Sequence, residues 1–164
     1  MKKVALLPLR AGSKSIIGKN KKKLLGRPLF SWCLTEAIFS SLDEIYVFTD
    51  DEDIIDYVYN EYRHTNKVKI MRRSQQSATD TASTEVAMHE FTQKIEGDYD
   101  ILCLLQATSP LTTRTDIDLC LQKVEQESFD SALTTVRLKR FIWDEMGRSI
   151  NYNYKNRPRR QDFD

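Results

Sequence analysis

Short apolar runs alternate with segments of helical period along most of this chain, and that alternation limits the possible fold more than any other feature. Residues 4–9, 45–48 and 101–105 are nearly continuous apolar stretches. Strands that are apolar on both faces belong in a parallel sheet covered by helices on each side. Residues 68–71 and 132–136 read as two shorter strands. Between the strands, Phe30, Cys33, Leu34, Ala37 and Ile38 recur at helical spacing behind Pro28, a residue suited to a helix's first turn. Ile54, Ile55, Val58 and Tyr62 form a second stripe, Ala87, Met88, Phe91 and Ile95 a third, and Ile117, Cys120, Leu121 and Val124 a fourth. The last helix is expected to begin at Thr115, with Asp118 in the acidic place of a capping box. Strand and helix in alternation predict a three-layer α/β/α sandwich around a mainly parallel sheet. Open sheets of this kind bind ligands beyond the carboxyl ends of their strands. The long polar loops after Leu9, Met71 and Leu105 should therefore share one functional face.

The composition fits one packed domain: 164 residues, 40% of them apolar and 30% charged, are too apolar for wholesale disorder. No stretch approaches the roughly 20 apolar residues of a membrane span, and the N-terminus lacks the layout of a signal peptide. A formal charge of +1 advertises neither a nucleic-acid nor a membrane partner. Three cysteines, Cys33, Cys103 and Cys120, lie scattered in apolar stretches, which excludes a disulfide framework and points to a reducing cytoplasm. With only His64 and His89, a structural zinc site is close to excluded. His89 lies off the apolar stripe of its helix and reads as solvated, and Cys103 reads as core.

The near-zero net charge conceals opposed blocks. From 10 to 27 there are seven basic residues and no acid, and from 43 to 61 eight acids and no base. The acidic block reads as a solvated face whose carboxylates favour a helix N-terminus. The basic block also holds Gly12, Gly18 and Gly26, three of the five glycines. Glycine lets backbone approach an anion closely, and lysine neutralises it. The run from Arg10 to Asn20 matches neither a Walker loop nor a dinucleotide fingerprint. Two readings remain open for it, a triphosphate cradle and a lysine-rich surface loop. After about residue 138 the periodicity stops in favour of aromatic and basic residues, among them Phe141, Trp143, Tyr152, Tyr154, Arg157 and Arg160. A frayed terminus and an oligomer contact both fit that composition.

Several segments together resemble the CMP–sialic acid synthetases (acylneuraminate cytidylyltransferases). They are Leu7-Pro8-Leu9-Arg10-Ala11-Gly12-Ser13-Lys14 through Lys19-Asn20, Gly26-Arg27-Pro28-Leu29, Asp80-Thr81-Ala82-Ser83, Leu104-Leu105-Gln106-Ala107-Thr108-Ser109-Pro110-Leu111 and Arg159-Arg160-Gln161-Asp162. They stand in family order over nearly the whole chain, and Lys19-Asn20 is more similar to the sialic acid branch than to the Kdo-activating enzymes. The resemblance implies a sandwich of the nucleotide-diphospho-sugar transferase type. It also implies joining of CTP to a nine-carbon 2-keto acid sugar, giving a CMP-sugar and pyrophosphate with Mg2+ required. By the same resemblance Arg10, Ser13, Lys14 and Lys19 would hold the phosphates, with Lys19 stabilising charge on the attacked α-phosphate. Asn20, Arg73 and Ser83 would line the cytidine pocket, and Gln106, as a buried amide, would bind the acid sugar. Residues 1–138 would be the CTP-binding domain and 139–164 a dimerisation segment, with Arg160 reaching a partner's active site in a homodimer.

Two departures stand out. Thr112 occupies a place where the family usually has arginine, and the nearest arginine, Arg114, suits a role at a helix start. The family also continues for several dozen residues past Asp164, through returning strands and a pair of Mg2+-binding aspartates, so the chain is expected to be a shortened version. Two further readings stay open: a CTP-binding dimeric fragment without turnover, and a related sugar nucleotidyltransferase, such as one using UTP.

Overall fold

A computed structural model of the chain describes residues 1–13, 16–126, 129–137 and 139–162, without the side chain of Arg160. The described chain divides into two units, Met1–Ala132 and Leu133–Asp164. In the first, four parallel strands form one sheet: β1 (Lys3–Leu9), β4 (Glu44–Thr49), β5 (Val68–Arg72) and β6 (Ile101–Leu104), in the order β5-β4-β1-β6. A short antiparallel pair, β2 (Lys23–Leu24) and β3 (Arg27–Pro28), lies between β1 and the first helix in the chain. The helices are α1 (Leu29–Phe39), α2 (Glu52–Tyr62), α3 (Thr84–Lys94) and α4 (Arg114–Gln126).

The alternation of side chains along β1 assigns the layers. Ala5, Leu7 and Leu9 join Phe30, Leu34, Ile45, Val47, Ile54, Val58, Ile117 and Leu121 in one core cluster, on the face covered by α1, α2 and α4. Val4 and Leu6 point the other way and meet Phe48, Ala87 and Phe91 beneath α3. Phe91 packs edge-on against both Tyr46 and Phe48, at 5.1 and 6.2 Å between ring centroids. The sandwich expected from the alternation is therefore formed. Burying each of these large side chains contributes about 1.5–3 kcal/mol. Successive connections carry the chain outward from β1 to β4 and β5, and then back across to β6 on the other side of β1. That reversal beside β1 is the topological switch point at which open sheets bind ligands.

Three expectations need correction. Residues 132–136 form no strand, and Leu133 and Val136 are both exposed. Strand propensity reflects fit to a half-buried, hydrogen-bonded surface, and these residues have none. The start of α4 is capped two residues earlier than expected. Thr113 and Asp116 make the reciprocal pair, with the Thr113 N–H donating to Asp116 Oδ2 (2.9 Å) and the Asp116 N–H to Thr113 Oγ1 (3.3 Å). Asp118 instead accepts from the Ser41 N–H at 2.7 Å. Pro28 ends β3 and stands just before α1 rather than within its first turn. The β2–β3 turn itself has positive φ at both central residues, Leu25 (49°) and Gly26 (85°), the geometry that matches the twist of a two-residue hairpin.

The second unit is held together by its own aromatic residues. Phe141 lies 4.5 Å from Tyr152, Trp143 lies 5.7 Å from Tyr152, and the Arg157 guanidinium covers Phe141 at 4.3 Å. Asn151 ties the segment together, accepting from the Ile142 N–H and donating to the Arg140 carbonyl, each at 2.9 Å. Phe141, Trp143, Tyr152 and Tyr154 thus find ring partners within their own segment.

Candidate functional site

Three loops at the carboxyl ends of β1, β5 and β6 line one cleft. The first contributes Arg10, Gly12, Ser13, Lys19 and Asn20, the second Arg73 with Ala82, Ser83 and Thr84, and the third Gln106 and Thr108. Seven of the positions singled out by resemblance, Arg10, Ser13, Lys19, Asn20, Arg73, Ser83 and Gln106, therefore meet at one place. Lys14 lies outside the described residues. Arg160 begins a one-turn 3-10 helix in the second unit, and its side chain lies outside the described residues as well.

The first loop is shaped by a glycine and tied down by acids. Gly18 sits at φ 62° and starts the 3-10 turn Lys19–Lys21, a left-handed position that a side chain adopts only under strain. Asn20 donates to the Arg10 carbonyl at 3.1 Å, drawing the two ends of the loop together. The acidic block turns out not to be a solvated face alone. Asp50 Oδ1 accepts from the Ala11 N–H at 2.9 Å. Lys21 Nζ reaches Asp51 Oδ2 at 2.9 Å and Asp53 Oδ2 at 2.7 Å. Asp51 is buried and also caps α2 by accepting from the Asp53 N–H. Hydrogen bonds to Asp53, then Asp51, raise the Lys21 pKa. The acidic turn between β4 and α2 thus anchors both halves of the basic loop.

Arg10 itself is engaged. Its Nη1 donates to Asp80 Oδ1 at 2.8 Å and to the Thr79 carbonyl at 3.1 Å. Both partners of this ion pair are partly exposed, so it contributes on the order of 0–1 kcal/mol and is weak enough for an incoming anion to displace.

The β5 side is more deeply built. Arg73 donates from Nε to Ser77 Oγ at 3.1 Å and from Nη2 to the Ser77 carbonyl, and its guanidinium lies over the Phe48 ring at 6.0 Å. Burial is the main influence lowering its pKa; Asp50 and Glu90 oppose that shift, while the like charge of Arg10 adds to it. The cleft therefore holds two cations that repel each other, which an anion would relieve. Glu90 of α3 sits behind Arg73. Burial would raise its carboxyl, but hydrogen bonds from Lys94, Ser77, Ser74 and the Ser74 amide outweigh burial and hold it at about 2. Ser83, the residue before α3, makes no capping bond; its hydroxyl instead hydrogen-bonds Glu85 and lowers that carboxyl.

One detail differs from expectation, and another agrees with it. Gln106 is exposed at the cleft rather than buried, its carbonyl accepting from the Ser109 N–H at 3.0 Å. Arg114 is the first residue of α4, and its N–H donates to Glu36 Oε2 at 2.8 Å. Reading by type and spacing missed Asp50, Asp51, Asp80, Ser77 and Glu90. Asp80 stands in a motif already noted, and Asp50 and Asp51 belong to the acidic block, whose charge complements the loop. Nothing local marked Ser77 or Glu90.

Among the described residues, no group of three or more His, Cys, Asp or Glu side chains converges to hold a metal ion. The Mg2+ implied by resemblance thus finds no such cluster among these residues. No helix among them is long and apolar enough to cross a membrane.

Comparison with known proteins identifies the family. A family model described as cytidylyltransferase matches residues 4–146. An N-acylneuraminate cytidylyltransferase B of Danio rerio is 34% identical over 168 residues, covering 98% of this chain and 38% of that protein. A pseudaminic acid cytidylyltransferase of Campylobacter jejuni is 33% identical over 127 residues, covering 77% of this chain and 54% of that protein. The chain thus spans well under two thirds of the length of these relatives. The solved CMP:2-keto-3-deoxy-manno-octonic acid synthetase, complexed with CTP, superposes with a TM-score of 0.62 at 25% identity, over 78% of this chain and 49% of its own. The family match over most of the chain and the identity to these relatives show that the chain belongs to the cytidylyltransferase family.

Proposed function

We propose that this chain carries the nucleotide-gripping part of an enzyme that transfers a cytidylyl group from CTP to an acid sugar of the sialic acid type. The observation that carries the proposal is the convergence of Arg10, Lys19, Asn20, Arg73, Ser83 and Gln106, from three sequence-distant loops, on one cleft at the switch point. The names of the relatives, N-acylneuraminate and pseudaminic acid cytidylyltransferases, supply the substrate class.

In this reading the hydroxyl of the sugar attacks the α-phosphorus, the bond to the β-phosphate oxygen breaks, and pyrophosphate leaves. Such transfers depend on positioning and on neutralising the phosphate oxygens. Lys19, at the start of the 3-10 turn, offsets charge on the α-phosphate as it is attacked. Arg10 leaves Asp80 for the triphosphate, and Ser13, with Lys14, completes the grip. Asn20, Arg73 and Ser83 face the cytidine. The exposed Gln106 amide meets the acid sugar, where a polar side chain discriminates against analogues lacking the matching hydroxyl. Mg2+, when bound with the nucleotide, would supply further neutralisation of the phosphates.

We further infer a homodimer in which residues 139–164 approach the neighbouring subunit and Arg160 completes its site. The exposure of Trp143, Ile142 and Tyr154 supports this. Free thiols at Cys33, Cys103 and Cys120 accord with a cytoplasmic setting.

Calorimetric titration with CTP and UTP, paired with a pyrophosphate-release assay with and without Mg2+, tests the proposal. CTP binding in preference to UTP, with release on adding an acid sugar, is expected. Preference for UTP, or no nucleotide binding, would overturn it, and CTP binding without release would reduce the function to nucleotide capture. Mixing Lys19→Ala and Arg160→Ala proteins tests the shared site: heterodimers should regain activity, and absence of rescue contradicts it.

A further inference from the structure

Arg73 is a long side chain on a cleft wall, and something must fix where its charge points. Its Nε donates to Ser77 Oγ at 3.1 Å, and the Ser77 hydroxyl in turn donates to Glu90 Oε2. Ser77 is 2% exposed, so this contact is closed to water. A serine hydroxyl has a single proton. Once that proton is committed to the Glu90 carboxylate, the oxygen can only present lone pairs to Arg73. Glu90 therefore sets the polarity of the hydroxyl, and the hydroxyl sets the position of the guanidinium.

The carboxylate is itself held from several sides. Glu90 accepts from the Ser74 N–H and the Ser74 hydroxyl, each at 2.9 Å, and from Lys94 Nζ at 2.5 Å. Lys94 also donates to the Arg72 carbonyl at 3.0 Å and lies 5.8 Å from the centre of the Phe48 ring, the ring that Arg73 covers. α3, which contributes Glu90, packs on β1 through Ala87 and Phe91, so the carboxylate is mounted on a rigid element rather than on a loop.

We propose that Glu90, acting through Ser77, is a positioning residue that orients Arg73 for nucleotide binding. This rests on the cytidylyl-transfer reading of the cleft. Glu90→Gln is the informative substitution. It keeps the size of the side chain but removes the charge and offers an amide donor to Ser77 Oγ. The Ser77 proton then loses its carboxylate acceptor, is left with the longer contact to the Ser74 carbonyl at 3.4 Å, and no longer holds the oxygen in place for Arg73 Nε.

The first measurement uses the free protein. Hydrogen exchange at the Arg73 Nε–H, followed by NMR, should be slow in the wild type and markedly faster in Glu90→Gln. Unchanged exchange overturns the proposal whatever the cleft binds. The second is a double-mutant cycle on CTP affinity. Glu90→Gln should weaken CTP binding by roughly tenfold, the scale of one charge-assisted hydrogen bond. In an Arg73→Ala background the same change should cost less than about twofold, because a residue that acts only through Arg73 has nothing left to position. Equal losses in both backgrounds would make Glu90 a general structural residue and overturn the relay alone. If the wild-type protein bound no CTP, the reading of the cleft would fall, and the exchange measurement would still decide whether Glu90 positions Arg73. Should Glu90→Gln not fold, Ser77→Ala carries the same cycle, with the same expected and contradicting results.

Discussion

The two banks of the cleft are built by different means. On the β1 bank a glycine-bearing loop is moored from outside by Asp50, Asp51 and Asp53, and its arginine is shared with the partly exposed Asp80. On the β5 bank Arg73 is half-buried over Phe48 and fixed by Ser77 and Glu90 from within the packed layers. The first bank can exchange one anionic partner for another, and the second cannot without disturbing α3. The proposed cytidylyl transfer would draw on both properties: charge that follows phosphate through the reaction, and a fixed surface against which the nucleotide is registered.

That contrast can be broken in several ways. The largest effect should come from the β1 bank: Lys19→Ala is expected to lower the turnover of an active form of the protein roughly a hundredfold or more while changing CTP affinity little. Steady-state kinetics with parallel calorimetry checks this, and wild-type turnover would remove Lys19 from the chemistry. Next, Asp51→Ala removes both a helix cap and the mooring of Lys21, and should cost about 1–2 kcal/mol in urea unfolding. A smaller loss would mean that the loop holds itself. Asp80→Asn should tighten CTP binding by up to about fivefold by freeing Arg10 from a competing carboxylate, whereas weaker binding would make Asp80 part of the grip.

The last effect is one of pH. The Glu90 carboxyl is depressed to about 2 in the folded state from an ordinary value near 4.5. Its contribution to stability is therefore complete above the ordinary value and is lost as pH falls from there through about 2. Wild type and Glu90→Gln should consequently converge in melting temperature as acid is added. A gap that stays constant from pH 6 to pH 3 would contradict the pairing.

The layers were legible in the sequence because periodicity reports burial directly. Ala5, Leu7 and Leu9 against Val4 and Leu6, and the stripes of α1 to α4, are burial patterns written at fixed spacing. The location of the cleft followed as well, since the ends of parallel strands and the switch point are topological consequences of the alternation. Features that depend on pairing in space were not legible. Residues 132–136 have the composition of a strand but no surface to pair with, and the α4 cap went to Thr113 because two candidate pairs lay within one turn. The moorings of the site join residues far apart in sequence, such as Ala11 and Asp50, which are 39 positions apart. Charge complementarity between the basic and acidic blocks hinted at that contact. Glu90 gave no such sign, because a glutamate on the polar side of an amphipathic helix looks like any other until Ser77 and Arg73 are folded against it.

The central claim is that the glycine-and-lysine loop and its facing arginine grip CTP, and a crystal structure of the protein soaked with that nucleotide tests it most directly. The account predicts phosphate oxygens against Lys19 and Arg10, the latter having left Asp80, with the cytidine beside Arg73 and Ser83. Nucleotide bound elsewhere, with residues 10–20 facing open solvent and Arg10 still paired to Asp80, would contradict it.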